Sequence, residues 1–118
     1  MEDSFVAKLN QYIYDNMEDS NLTVGKLATY CYISRSSLYS LIIKHTKQTP
    51  AKYIRQLRLE QAYKLLTTKP NVRVIEVMYL VGFTDKTNFH KLFKEKFGVT
   101  PGSLIGELPN EKEEGEEE

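Results

Sequence analysis

The sequence predicts an all-α fold of about seven helices, in which two helix-turn-helix subdomains are joined by a long linker helix. Apolar residues recur at spacings of three and four along the chain, as they do on the buried face of a helix. No segment alternates between apolar and polar residues in the way that a strand does. The chain also repeats itself, because residues 34–54 align with residues 85–105 at an offset of 51.

Three helices are predicted within residues 1–50, the first subdomain. An apolar stripe at spacing four predicts the first of them. Thr23 and Ser34 predict where the next two begin, because a hydroxyl before a helix accepts a backbone N–H of its first turn. The predicted helices are residues 4–17, 24–31 and 35–46.

The linker helix is predicted within residues 51–68. Thr49 is its predicted N-cap, and Pro50 suits the first helical position because the missing N–H would be unpaired there anyway. The apolar residues of 51–67 do not form one narrow stripe, which is typical of a helix that packs on two sides.

Residues 69–106 form the second predicted subdomain and repeat the plan of the first. Gly98 is placed to end a helix in the left-handed conformation, and Thr100 is placed to cap the next helix. Beyond them, residues 107–118 are a low-complexity acidic tail that is predicted to be disordered. The predicted helices are residues 74–80, 86–97 and 102–105.

The two copies share one pattern: a short helix, a tight turn and a longer helix whose first turn is polar. Leu38 aligns with Phe89 and Ile42 with Phe93, so the buried faces of the longer helices correspond. Upstream the offset is 50, which places one inserted residue in the turn of the second copy. This is the helix-turn-helix pattern, whose second helix (the reading helix) enters the DNA major groove with its N-terminal residues at the base edges.

Both longer helices carry exposed polar and basic residues that can reach a base or a phosphate. A single helix of this kind is more often only a capped, solvated helix, but two copies favour DNA. A linker of ~17 residues is about 26 Å long and would set the reading helices about one DNA turn, ~34 Å, apart. In the first copy these residues are Arg35, Ser36, Tyr39, Ser40 and Lys44, and in the second Lys86, Thr87, Asn88, His90, Lys91 and Lys94.

The net charge of zero conceals a strong segregation of charge along the chain. Residues 22–106 hold fourteen Lys and Arg against four acidic residues, a net charge of +10. Residues 107–118 hold seven Glu against one Lys. So basic a core favours a polyanionic partner, although a basic surface that is merely solvated would have the same charge.

An enzyme, a metal site and a membrane span are all disfavoured by the sequence. His45 and His90 have no ligand-spaced Cys, His or carboxylate partner, and there is no Gly-rich phosphate loop. No apolar run approaches the ~18 residues of a membrane span. Cys31 is the single cysteine and fits a reducing compartment, so we expect a cytoplasmic protein without a cofactor or catalytic residues.

The sequence resembles the DNA-binding domain of AraC/XylS-type transcription regulators over about residues 4–105. The resemblance is carried by LTVGKLATYCYISRSSLYSLI, TPAKYIRQLRLEQAYKLL and VIEVMYLVGFTDKTNFHKLFKEKFGVTP. The segment ISRSSLY is also similar to the C-terminal domains of hybrid two-component regulators from Bacteroidetes. We therefore interpret the chain as a fragment of a larger sensor-regulator, and the alternative is a stand-alone small regulator.

The resemblance implies roles for the exposed side chains of the reading helices. Arg58, on the linker helix, is expected to be structural and to pair with Glu76. Base contacts are expected from Ser36, Tyr39, Ser40, Lys86, Thr87, Asn88, His90 and Lys91. Phosphate contacts are expected from Arg35, Lys44, Arg55 and Lys94.

Three features depart from the pattern of the family. Lys47 stands where relatives often carry Gly, and a left-handed residue other than Gly costs roughly 1 kcal/mol, so this corner is expected to be either strained or differently built. Ser40 stands where many relatives carry a long basic side chain, as Lys91 does in the second copy. The acidic tail, residues 107–118, is either filler or a competitor of DNA for the basic face.

The predicted function is sequence-specific binding of double-stranded DNA in transcription regulation, as an activator with two reading helices in successive major-groove segments. The alternative is a protein-interaction module that docks on RNA polymerase or on a partner regulator. Dimerisation of a parent protein through a domain outside this chain is left open. No membrane contact is expected of this chain.

Overall fold

A computed structural model describes residues 2–105, with side chains from Ser4 onward. Within that range the protein has seven helices and no strand, which confirms the predicted all-α fold class. The acidic tail predicted for residues 107–118 lies outside the described residues. The helices are α1 (Glu2–Asp15), α2 (Val24–Cys31), α3 (Arg35–Thr46), α4 (Pro50–Thr68), α5 (Val74–Leu80), α6 (Lys86–Phe97) and α7 (Pro101–Leu104).

The chain divides into two compact units, Met1–Leu57 and Arg58–Glu118, which we call the first and second units. Helix α4 contributes residues to both of them. The limits of a separate linker and of two flanking subdomains, drawn from the sequence, stay a prediction. No helix in the described range combines the length and the apolar character needed to cross a membrane.

Aliphatic side chains fill the core of the first unit. Helix α2 packs against both α1 and α3. The start of α4 is tied to α1 by a hydrogen bond of 2.5 Å from the Tyr53 hydroxyl to Asn10 Oδ1. Burying each of these aliphatic side chains contributes ~1.5–3 kcal/mol. Those with no exposed surface are Leu9, Ile13, Leu27, Leu38 and Ile42.

The core of the second unit contains a cluster of aromatic side chains among its aliphatic ones. Phe89 and Phe93 are fully buried, and their ring centroids are 5.8 Å apart. Phe83 lies 5.1 Å from Phe89, and Phe97 lies 4.7 Å from both Phe93 and Tyr63. Tilted pairs at these distances are worth ~0.5–1.5 kcal/mol beyond their burial. Helix α6 is therefore anchored along three of its turns.

The predicted N-caps are confirmed. Thr23 Oγ1 accepts the N–H of Lys26 at 3.2 Å, and Ser34 Oγ accepts that of Ser37 at 3.1 Å. Thr49 and Thr100 make the same bond three residues ahead, at 3.3 and 3.4 Å. Both α4 and α7 begin at the proline after the cap, one residue before the predicted start, because proline itself takes the first helical position.

Helix α1 ends at Asp15, two residues before the predicted end at residue 17. The reason lies in the next residue, Asn16. Its side-chain Nδ2 donates to the carbonyl of Tyr12 at 2.9 Å, and its backbone N–H shares the same acceptor at 3.1 Å. An Asn side chain that competes for a backbone carbonyl favours the end of a helix.

Left-handed backbone conformations occur at matching places in the two units. The α2–α3 turn has Tyr32 at φ 61°, and the α5–α6 turn has Gly82 at φ 94°. The reading helices α3 and α6 end on Lys47 at φ 65° and Gly98 at φ 78°. Lys47 therefore takes the left-handed conformation for which Gly is suited, and the predicted strain at this corner is present.

Candidate nucleic-acid interface

The first turn of α3 is organised by the hydroxyl of Ser34. This hydroxyl lies 2.9 Å from the hydroxyl of Ser37 and 3.3 Å from that of Ser36. The cap fixes where α3 begins and leaves the side chains of its first turn exposed. Short hydroxyls at this position allow a polyanion to approach the N-terminus of the helix closely, where the partial positive charge of the helix dipole lies.

Arg35 lies beside the first turn of α2. A β-carbon built on Gly25 would lie 3.8 Å from Arg35 Nε and 3.6 Å from Thr23 Oγ1. The Arg35 side chain therefore passes close to the first turn of α2. A cation and a helix N-terminus at one place both favour an anion, which is the chemistry that a phosphate contact from Arg35 requires.

The first turn of α6 is capped by the carboxylate of Asp85. Asp85 Oδ1 accepts the N–H of Asn88 at 3.0 Å, so Lys86, Thr87 and Asn88 are held at the start of the helix. These three side chains are exposed, and so are Lys91 and Lys94 on the following turns. The N-terminal half of α6 therefore presents amide, hydroxyl and ammonium groups, which together suit base edges and phosphates.

His90 was expected to be exposed, but one of its two ring nitrogens is buried. The ring is half-buried, and its Nδ1 lies 3.0 Å from the carbonyl oxygen of Lys86 one turn earlier. A carbonyl only accepts, so Nδ1 carries the proton in this bond. Nε2 is buried and has no hydrogen-bond partner, because the ring packs edge-on against Phe89 at 5.9 Å. A base contact by His90 would therefore need the ring to turn outward, and its role stays a prediction.

The other predicted DNA-contact residues differ in how exposed their side chains are. Arg55, on α4, is half-buried. The others are exposed and lie on the two reading helices: Arg35, Ser36, Tyr39, Ser40 and Lys44 on α3, and Lys86, Thr87, Asn88, Lys91 and Lys94 on α6. These assignments to bases and phosphates stay predictions.

Ile43 is an exposed apolar residue of α3 that was not predicted as part of the interface. Ile43 is 38% exposed and lies one turn after Tyr39, which is 44% exposed. Residues four apart share one face of a helix, so both side chains lie on the face of Tyr39. Sequence reasoning missed Ile43 because Leu41, Ile42 and Ile43 form one apolar run. Its alignment with Lys94 was the available signal.

Arg58 has the structural role that the sequence predicts. It is 9% exposed, and its Nη1 donates to the carbonyl oxygen of Gly82 at 3.1 Å. This bond fixes the α5–α6 turn and so the direction in which α6 starts. Glu76 accepts the backbone N–H of Arg73 at 3.1 Å at the start of α5, and the proposed pairing of Arg58 with Glu76 stays a prediction.

Neither metal binding nor thiol chemistry is supported at this surface. Among residues 4–105 no three His, Cys, Asp or Glu side chains come together in a way that could hold a metal ion. Burial raises the pKa of the Cys31 thiol, and the ammonium of Lys8 opposes this only in part. The thiol therefore stays protonated near neutral pH, in the form that is a poor nucleophile.

Two reading helices with exposed polar first turns, each preceded by a short helix and a tight turn, define a helix-turn-helix DNA-binding domain. A family profile described as a helix-turn-helix domain matches residues 27–106. The chain belongs to this family, in its AraC type, whose members are DNA-binding domains of transcription regulators. It is a sequence-specific DNA-binding domain.

Known relatives are longer proteins. The chain is 35% identical over 107 residues to the Msm operon regulatory protein of Streptococcus mutans, covering 91% of this chain and 38% of that protein. It is 30% identical over 101 residues to Histidine kinase P4 of Formosa agariphila, covering 86% of this chain and 7% of that protein. The chain thus spans well under two thirds of the length of these curated relatives.

A solved structure has the same fold. The C-terminal domain of AraT, a response regulator from Geobacillus stearothermophilus, superposes with a TM-score of 0.74 at 25% sequence identity. The match covers 85% of this chain and 82% of that one. This likeness extends over both units.

Proposed function

We propose that α3 and α6 each enter the major groove and read successive segments of one operator. The observation that carries this proposal is the repeated reading helix. In both units a side-chain cap at the residue before the helix leaves its first turn polar and exposed. An operator read in this way has two contacted segments about one turn of DNA, ~34 Å, apart.

The proposed contacts follow the chemistry of each side chain. Thr87, Asn88 and Lys91 of α6 carry donors and acceptors long enough to reach base edges. Ser36 and Ser40 of α3 make the corresponding contacts with short hydroxyls and Tyr39 with its longer phenol side chain, and Lys86 and His90 are further candidates. Phosphates are contacted by the cations on the flanks, Arg35, Lys44, Arg55 and Lys94.

The larger role of the protein is also a proposal. We infer that the domain activates transcription from the cytoplasm as the output of a two-component system. The match to a histidine kinase and the likeness to a response-regulator domain support this role. Contact with RNA polymerase and dimerisation through another domain are part of the same proposal.

The test is to select binding sites from a random duplex pool and to measure affinity for the selected site at several salt concentrations. Phosphate contacts predict that affinity falls steeply as salt rises, because bound cations release counterions from the DNA. A duplex with altered base pairs in either segment should bind more weakly at every salt concentration. A flat salt dependence, or equal affinity for all duplexes, would contradict the proposal.

A charge-matched pair of variants separates the interface from general charge. Lys91→Ala removes a cation from the proposed interface, whereas Lys8→Ala removes one from α1, where Lys8 lies over the ring of Tyr30 at 5.4 Å. We expect Lys91→Ala to weaken binding to the selected site and to relax its sequence preference. Lys8→Ala should leave the sequence preference unchanged, and equal effects would refute the placement of α6 in the groove.

A second candidate function, contact with another protein, is favoured by Tyr32. This side chain is 90% exposed in the α2–α3 turn and has the left-handed conformation, where a residue other than Gly costs ~1 kcal/mol or more. A strained, exposed aromatic residue is a candidate for function. We propose RNA polymerase or a partner regulator as the protein that it contacts.

Tyr32→Gly tests this second function, since Gly also occurs at the aligned position of the second unit. The variant should fold and bind the selected duplex like the wild type. It should also lose activation in a transcription assay with purified polymerase. Full activation by Tyr32→Gly would exclude Tyr32 as a protein contact.

A further inference from the structure

The reading face of α3 is partly apolar, unlike a face that reads only by hydrogen bonds. Tyr39 and Ile43, at 44% and 38% exposure, lie one turn apart on this face. Ser36 and Ser40 on the same helix supply only short hydroxyls. Tyr39 and Ile43 therefore add exposed hydrocarbon to the middle of α3.

This apolar strip is not required by the helix-turn-helix fold. The residues aligned with Tyr39 and Ile43 in the second unit are His90 and Lys94, and Lys94 is exposed at its place on α6. A charged side chain therefore suits that helical position, and the motif does not require an apolar residue where Ile43 stands.

An open depression of about 450 Å³ extends the apolar surface on the side of Tyr39. Besides Tyr39, its lining includes Leu22, Val24, Pro50 and Ile54. It therefore lies between the starts of α2 and α4, next to the reading helix. A partner that approaches the N-terminal part of α3 meets hydrocarbon here as well as hydroxyl groups.

The charges around the strip indicate what covers it. Arg35, Lys44 and Lys47 are exposed at the start and end of α3, so the strip is flanked by cations. A polyanion with apolar groups at its centre matches this pattern, and double-stranded DNA is such a partner. In the major groove its exposed apolar group is the C5 methyl of thymine.

We propose that Tyr39 and Ile43 read thymine methyl groups in the DNA segment contacted by the first unit, with Ile43 as a specificity-determining residue. The proposal rests on the proposed function and adds the base class that α3 prefers. The second unit reads by hydrogen bonds, whereas the first adds apolar contacts to those of its short hydroxyl groups. Loss of a methyl group changes nothing in the hydrogen-bonding pattern of the base pair, so the two modes can be separated.

The experiment replaces each dT of the selected duplex by dU, one at a time, which removes only the methyl group. At one or two positions the wild-type protein should bind the dU duplex about fourfold more weakly per methyl lost. Ile43→Ala and Tyr39→Ala should bind the dT and dU duplexes at these positions equally. Both variants should fold, because the two side chains are partly exposed, and circular dichroism checks this.

Lys94→Ala is the matched control, because Lys94 is aligned with Ile43 in the second unit. It should lower affinity for the dT and dU duplexes by the same factor and so keep the discrimination. If dU is accepted everywhere, or if Ile43→Ala and Tyr39→Ala both keep the preference for dT, the inference is wrong. Absence of any sequence-specific binding by the wild type would instead refute the proposed function itself.

Discussion

The two helix-turn-helix units share one backbone plan but differ in their cores, in their left-handed residues and in the groups that their reading helices expose. The second unit has an aromatic cluster within its core, with Phe89 and Phe93 where the first has Leu38 and Ile42. It has Gly82 and Gly98 at positive φ, where the first unit has Tyr32 and Lys47. The backbone plan thus tolerates wide variation in side chains as long as the caps and the buried face of the reading helix are kept.

These differences suggest that the two units contribute unequally to stability and to DNA binding. The second unit has Gly at both left-handed positions of its helix-turn-helix, although Asn71 before α5 is also left-handed, and it carries long donor side chains on α6. The first unit carries strain at two positions and exposes shorter or apolar groups on α3. We expect the second unit to be the more stable one and to supply more of the binding free energy.

The largest effect is expected from the aromatic core. Phe93→Ala removes the ring that contacts Phe89, Phe97 and Tyr63 and should lower the free energy of unfolding by ~3–5 kcal/mol. Its counterpart Ile42→Val in the first unit should cost ~1 kcal/mol. Urea denaturation measures both, and a smaller loss for Phe93→Ala would contradict the importance of the aromatic core.

The next effect concerns Arg58 and should be confined to the second unit. Arg58→Met keeps most of the buried stem but removes the charged donor to the Gly82 carbonyl, at a cost of ~2 kcal/mol. Amide hydrogen exchange should become faster in α5 and α6 and stay unchanged in α1 to α3. Arg55→Met, one turn earlier on α4, is the control. It should weaken DNA binding but change the free energy of unfolding less than Arg58→Met does. Equal acceleration of exchange in both units would remove this distinction.

The third effect compares the reading helices directly. Lys91→Ala should weaken binding to the selected duplex about tenfold, equivalent to ~1.4 kcal/mol. Ser40→Ala, at the aligned position of α3, should change it no more than about twofold, because a short hydroxyl makes at most a weak neutral hydrogen bond. Fluorescence anisotropy at fixed salt gives both values, and a larger loss for Ser40→Ala would reverse the ranking of the units.

The smallest effect tests the left-handed helix ends. A β-carbon on Gly98 would meet nothing within 4 Å, so Gly98→Ala introduces backbone strain alone and should cost ~1 kcal/mol. Lys47→Gly should leave the free energy of unfolding unchanged or raise it by roughly a few tenths of a kcal/mol, because the greater freedom of the unfolded chain offsets most of the relieved strain. The midpoint of thermal unfolding should therefore fall for Gly98→Ala. For Lys47→Gly it should stay unchanged or rise slightly. A loss of stability in Lys47→Gly would show that Lys47 is held by favourable contacts.

The fold was largely predictable because its signals are local. Thr23, Ser34 and Thr100 bond to N–H groups three residues ahead, so the sequence alone locates these helix starts. The reading face was predictable in outline, because residues between the buried positions of α3 and α6 must lie outside. Ile43 was missed for a physical reason: within an apolar run, burial depends on which neighbours pack against the helix.

The sequence by itself determined the seven helices, their caps, the repeat and the family, since each follows from contacts within a few residues or from alignment within the chain. Only the tertiary structure decided what the side chains do once the helices have packed. It turned the His90 ring onto Phe89 and the Lys86 carbonyl, placed Arg58 on the Gly82 carbonyl and exposed Ile43 beside Tyr39. Arg58 bonds to a residue 24 positions away, and the burial of His90 and the exposure of Ile43 depend on how limited buried space is shared, neither of which a local pattern records.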